Sequence, residues 1–333
     1  MLDTKNLFAK SPLIILSFLI LSFVFDFIDK IDIFYGFGFI KFNRILKGLF
    51  LIYSVSFLSI RFKYVFSNFK YLLGVIAILS SLFLLKFNFS SLYINEYIRY
   101  MFGIIILPLI YSSFSGAKKD VLYKLYKLTR LLILINGPLI LLALIFDIRV
   151  FRTYDSYGRF GYNGFILSQG FTPYVYMYAT TLFWVFKDKK MLVLTLLLSL
   201  LSGVKGVYFA ESVLLVLFVF FDQKYNTMLK LKVVALTAII SAIVISVFFM
   251  QPLFKEIIAS EGLLTAVFSY RLEHALKLFT SLNTENYSVF IGAINLDVIR
   301  LELQLLDIIL FFGCLGLVFL VLFVFCFGCS LLL

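Results

Sequence analysis

The sequence predicts an all-α, polytopic integral membrane protein, and three observations carry that prediction. Apolar residues make up 62% of the 333 and charged residues only 14%, with a mean hydropathy of +1.05, against roughly 45–50% and 25% in soluble domains. Long apolar runs recur along the whole chain, and a hydrocarbon core of ~30 Å takes about 20 residues of helix to cross. The runs are continuous, as at 191–201 and 233–250, whereas membrane barrel strands alternate apolar and polar residues over ~10-residue segments.

Reading runs and breaks in order gives ten expected spans: 12–27, 45–60, 71–85, 97–114, 131–146, 171–186, 191–202, 207–221, 233–250 and 303–325. The first follows Lys5 and Lys10 and has no small-residue cleavage site before Asp26, so it reads as a signal anchor. The segment 35–40 is apolar but too short to count. The run 191–202 is short for a crossing and is expected to pack as one broken unit with 207–221. The last span holds all three cysteines, Cys314, Cys326 and Cys329, where neither metal spacing nor a disulfide framework fits. No repeat is visible, so 1–333 reads as a single transmembrane domain with two long connections, 147–170 and 251–302.

Charge then assigns the faces. With the N-terminus inside, 14 of the 21 lysines fall on the inside and 7 of the 9 arginines on the outside. Lysine, a hydrated point charge, suffices for cytoplasmic retention. The planar guanidinium suits two-pronged recognition of phosphate or carboxylate. The outside arginines are Arg44, Arg99, Arg149, Arg152, Arg159, Arg271 and Arg300; each reads either as an anion ligand or as an interfacial snorkelling residue.

Both long connections fall outside. The first holds Arg149, Arg152, Asp155, Arg159, Asn163, Ser168 and Gln169 among aromatic residues able to stack on sugar rings. In the second, 257–279 has apolar residues at helical spacing and reads as one amphipathic helix at the membrane surface, with Arg271, His274, Lys277 and Val267 on one face. His274 is the chain's one histidine, which excludes metal sites needing two and leaves general acid or base work. Lys205, flanked by Gly203 and Gly206 where two apolar runs meet, reads as an intramembrane charge facing an anion or as part of a tight turn. Glu302 and Asp307 enter the last span and could pair with an arginine or act as a base. Glu211 and Asp26 are further buried-acid candidates without a named partner. No nucleotide-binding loop, dinucleotide fingerprint or serine-hydrolase elbow occurs, which disfavours ATP-driven transport and serine hydrolysis.

At these residues the chain resembles the bacterial O-antigen polymerase (Wzy-type) family, relatives of the O-antigen ligases. The likeness rests on Arg159-Phe160-Gly161-Tyr162-Asn163-Gly164 before a span, Leu201-Ser202-Gly203-Val204-Lys205-Gly206 between two helices, and Tyr270-Arg271-Leu272-Glu273-His274. It also rests on Glu302-Leu303-Gln304-Leu305-Leu306-Asp307 followed by Phe312-Gly313-Cys314-Leu315-Gly316. Gln304 stands where an acid is common in similar chains. The resemblance implies a multi-pass bacterial inner-membrane protein with about ten helices, a cytoplasmic N-terminus and periplasmic 147–170 and 251–302. It further implies a metal-independent, cofactor-free glycosyltransferase that moves a glycan from undecaprenyl pyrophosphate to a second lipid-linked repeat unit. Implied partners are those lipid-linked oligosaccharides, membrane lipids and a chain-length regulator, with no nucleic acid. Arg271, His274 and Glu302 would be catalytic, while Arg152, Arg159, Asn163, Lys205 and Arg300 would bind substrate. A ligase, a flippase or transporter of lipid-linked sugars, and a scaffold without chemistry remain open on sequence.

Overall fold

The computed structural model describes residues 10–39, 41–114, 118–154, 159–166, 171–222, 226–268, 270–297, 299–301 and 303–332. The chain is all-helical, with thirteen α-helices, one 3-10 turn and one antiparallel pair of two-residue strands among these residues. Seven helices are long and apolar enough to span a bilayer: α1 (Ser11–Tyr35), α2 (Phe42–Ile60), α3 (Phe62–Leu84), α4 (Ser91–Phe114), α5 (Lys118–Phe146), α9 (Thr227–Phe249) and α13 (Gln304–Leu332). The protein is thus polytopic, with seven helices of spanning length, not the expected ten, among the described residues.

The other three expected spans are shorter helices: α6 (Thr172–Val185), α7 (Lys189–Leu201) and α8 (Lys205–Phe221), of 14, 13 and 17 residues. At 1.5 Å per residue they run ~21, ~20 and ~26 Å, short of the ~30 Å core. Local signals bound them. Pro173 occupies the first turn of α6, and Asp188 caps α7 by accepting the Met191 amide at 3.2 Å. The Tyr208 hydroxyl reaches the Leu200 carbonyl at 2.8 Å. Eight residues of continuous helix would put those positions ~12 Å apart, so the chain doubles back at 202–204. A hairpin replaces the expected broken span.

Two compact units form, each from segments distant in sequence. One takes Pro12–Lys47 and Gly116–Ser260. In it α6 packs on α5, α7 and α8, and Ile133, Ile140, Tyr176, Ala179, Phe183, Leu198 and Val207 build the core. Gly137 admits Leu198 of α7 against α5, with room for no more than an ordinary contact of 3.5 Å. Helix α9 is largely apolar after Lys230 and Lys232 at its start, has no buried residue over Thr227–Val247 and packs on α8, the pattern of a peripheral spanning helix.

The other unit holds the described residues of Met1–Ser11 with Gly48–Ser115 and Glu261–Leu333. Here α3 packs on α4 and on α13, and α13 also packs on the strand pair β1 (Tyr287–Ser288) and β2 (Gly292–Ala293). Helix α13 breaks at Gly313 (φ 69°, ψ −173°). The hairpin fills the break: the Cys314 amide donates to Val289 O at 2.8 Å, and the Lys86 amine donates to Phe311 O.

The expected single surface helix at 257–279 is instead three, α10 (Pro252–Glu261), α11 (Leu263–Phe268) and α12 (Arg271–Ser281). Gly262 at φ 93° and Tyr270 at φ 64° lie in the left-handed region, where a right-handed helix cannot continue. Arg271, His274 and Lys277 therefore share α12, while Val267 sits on another helix and is not part of that face.

Candidate functional site

Two loops of the first-described unit meet backbone to backbone. A 3-10 turn, Arg149–Phe151, leads into an isolated antiparallel bridge between Arg152 and Tyr162. The Thr153 amide donates to Gly161 O (2.9 Å), the Tyr162 amide to Leu201 O (2.8 Å), and the Asn163 amide to Phe151 O (2.8 Å). The Thr153 hydroxyl donates to Ser202 O (2.6 Å) and the Tyr154 hydroxyl to Gly203 O (3.2 Å). A Cβ on Gly203 would stand 2.0 Å from Phe160 O, and one on Gly161 would stand 2.4 Å from Ser202 O. The segments 159–164 and 201–206 thus form one seam because only glycine lets the two loops approach this closely.

The seam sets two cations around one ring. Arg159 places its guanidinium carbon 3.9 Å from the Tyr154 ring centre and 5.6 Å from that of Phe254. Lys205, the first residue of α8, places Nζ 4.3 Å from Phe254 and 5.4 Å from Phe249. Helix α10 delivers Phe254, which is buried. Each cation–π contact contributes about 0.5–2 kcal/mol. Two like charges held against one ring also repel, and a bound anion relieves that repulsion. The Arg159 Nε–H is buried and has no hydrogen-bond partner among the described residues, so the fork keeps a donor to give.

Other expected ligands are engaged locally. Arg152 forks onto Asp147, with Nε donating to Oδ1 at 2.8 Å and a second contact from Nη2 to Oδ2. The Tyr162 hydroxyl donates to the same carboxylate at 3.2 Å. The Arg152 hydrogen bond, helped by Tyr162, holds the Asp147 carboxyl below the usual carboxylate range. Asn163 is fully buried and donates to Thr172 Oγ1, so it fixes the loop to α6 and presents nothing at the surface. Lys30 of α1, also buried, donates to Gly164 O at 2.9 Å.

Arg271, His274 and Arg300 belong to the other unit. Arg271 opens α12 half-buried, and His274 is exposed on it. Between them Glu273 accepts the Thr265 hydroxyl, which holds its carboxyl below the ordinary glutamate value. Arg300 is exposed and stands in the electrostatic neighbourhood of Glu96, with Arg99 and Asp307. Asp307 is buried and accepts the Leu301 amide at 2.6 Å, a capping contact. Glu302, Asp155, Ser168 and Gln169 lie outside the described residues.

Several partners were not picked out from the sequence. Phe254 and Tyr154 carry no motif, because a ring becomes a cation seat only when folding aims a charge at it. Glu96 pairs at 2.7 Å with Arg99, one turn on along the same helix. Lys86 did carry a signal, since a lone lysine at the end of an apolar run is costly and needs a partner. It is buried against Phe311 (3.8 Å), Phe312 (5.5 Å) and Tyr93 (5.9 Å). No family model matches the chain, and no curated protein or solved structure matches it at a significant level.

Proposed function

We propose that the protein is a membrane polysaccharide polymerase that takes a glycan from undecaprenyl pyrophosphate and adds it to a second lipid-linked repeat unit at the non-cytoplasmic face. The observation that carries the reading is the meeting of Arg159 and Lys205 at Phe254, with a buried Arg159 N–H still to be satisfied. A pyrophosphate supplies charge and acceptor oxygens complementary to two such cations, and an acceptor for the Arg159 N–H. In the reaction the acceptor hydroxyl oxygen bonds to the anomeric carbon, the bond from that carbon to the pyrophosphate breaks, and the hydroxyl proton passes to a base. Arg159 and Lys205 neutralise charge growing on the departing pyrophosphate. For Arg271, His274 and Arg300, which belong to the other unit, and for Glu302, the roles are those the resemblance implies: charge stabilisation, proton acceptance and substrate binding. Arg152 and Asn163 act in this reading by shaping the loop.

The end of the bundle opposite the seam supports the orientation proposed. There the turn between α6 and α7 and the start of α9 carry Lys187, Lys189, Lys190, Lys230 and Lys232, a cluster that favours the cytoplasm.

The test is a reconstituted assay with undecaprenyl-pyrophosphate-linked repeat units. Wild-type protein should give a ladder of chain lengths, and Arg159→Ala should lose ~10²-fold or more in rate, the usual cost of one charge-stabilising donor. Arg159→Lys should recover part of that, since it restores charge without the planar fork. A normal ladder from Arg159→Ala, present in the membrane at wild-type level, overturns the assignment. A flippase is the second reading, favoured by the buried polar residues Thr172, Tyr176, Thr180 and Glu211 inside one unit. Cells lacking the protein separate the two: single units on the outer leaflet select the polymerase, and units trapped on the inner leaflet select the flippase.

A further inference from the structure

A polar file runs through the core of the unit that contains the seam, and the polymerase reading makes no use of it. Thr172, Tyr176 and Thr180 stand four apart on α6 and are each 0% exposed, so they form one stripe ~12 Å long on a buried helix face. At the loop end Asn163 Nδ2 donates to Thr172 Oγ1. Midway, the Tyr176 hydroxyl lies beside Asn136 of α5, whose own amide group is held by Asn163 O (3.1 Å) and the Phe165 amide (3.0 Å). At the far end the Thr180 hydroxyl donates to Glu211 Oε1 of α8 at 2.9 Å.

Each level leaves one buried polar atom without a hydrogen-bond partner among the described residues: Asn163 Oδ1, Tyr176 OH and Glu211 Oε2. Buried polar atoms are nearly always satisfied, by protein or by ordered water. An ordered water at each of these three heights would satisfy the atom left there. At the end of the stripe Glu211, 4% exposed, accepts only the Thr180 hydroxyl among the described residues, with no ion pair.

The ionisable groups around Glu211 are few. From α6 comes Tyr176, and on α8 itself are Tyr208 and Lys205, the latter turned to Phe254. Helices α7 and α9 carry charge only at Lys189, Lys190, Lys230 and Lys232 near their starts, and α5 carries its charges at and before Arg130. An unpaired carboxylate in such a place costs several kcal/mol to hold as an ion, and binding a proton removes that cost. We propose that Glu211 is a proton-binding site that exchanges its proton with the loop end of the bundle through water held by Asn163, Tyr176 and Thr180. In each exchange the carboxyl O–H proton passes to the adjoining water and one returns, with no net change in the protein.

Infrared spectroscopy of the full-length protein in lipid, moved from H2O to D2O at neutral pH, tests this. The expected result is a protonated-carboxyl band that is absent from Glu211→Gln, shifts in Glu211→Asp and moves on deuteration. The aspartate variant keeps the assignment independent of whether the glutamine variant folds. Tyr176→Phe and Thr172→Val should keep the band and slow its deuteration tenfold or more. The absence of any band assignable to Glu211, or a band that never exchanges, overturns the proton site. Exchange unaffected by both file variants overturns the route. Neither readout depends on polymerase activity, so failure of one proposal leaves the other standing.

Discussion

At Gly203 the neighbour is backbone on every side, and the residue also sits at φ 68°. Gly203→Ala combines left-handed strain, of order 1–3 kcal/mol, with a collision against Phe160 O that no rotamer change relieves. Gly206→Ala, three residues on, meets only Pro173 Cγ at 3.6 Å and gains helix propensity of up to ~1 kcal/mol. Thermal melts in detergent should show the first variant clearly destabilised and the second at or above wild type; equal melts would mean the seam is not packed as described. The same scale separates two arginines that look alike in sequence. Arg152 is spoken for by Asp147, whereas Arg159 keeps an unsatisfied N–H, and only the fold distinguishes them.

Helix α13 shows how an element is held open. Its break at Gly313 leaves the Phe311 carbonyl to Lys86 and the Cys314 amide to Val289, so the hairpin and one lysine replace the lost rungs. At its start Asp307 reaches back to the Leu301 amide. Asp307→Ala strands that buried donor, at about 1–3 kcal/mol, and hydrogen exchange over 301–310 should quicken while α3 stays protected. Unchanged protection there would remove the capping role. Helices α10 to α12 make the complementary point. The apolar spacing over 257–279 was legible, but two left-handed residues, one of them Tyr270, cut it into three, and a tyrosine gives no sign of that in sequence.

For the molecule as a whole, Lys86 links stability to pH. Burial pushes its amine from the ordinary 10.5 down to about 7, while the Phe311 carbonyl and the surrounding rings favour the charged form. Between about 7 and 10.5 the unfolded chain holds a proton that the folded protein has released, so stability rises with pH across that window. Below about 7 both states are protonated, and the burial penalty is present in full. The gain across the window is on the order of a few kcal/mol. Thermal midpoints against pH should climb for wild type and climb less steeply for Lys86→Met; parallel curves would refute the linkage.

The sequence by itself determined that the chain is helical and crosses a membrane, because apolar runs of spanning length have no other stable form in lipid. It also marked the segments 159–164 and 201–206, whose glycines and cations prove to form one seam. The number of spanning helices was beyond it, since hydropathy counts side chains while a proline, a cap and a tight turn set the lengths of α6, α7 and α8. So was the division of labour among polar residues. Asn163 and Asp307 carry the same chemistry as ligands or bases, and only the fold shows that a neighbouring hydroxyl and amide engage them. Glu211 was visible as an acid without a partner. Its place at the foot of a buried stripe required Thr172, Tyr176 and Thr180 to face one way, and packing on three sides of α6 decided that.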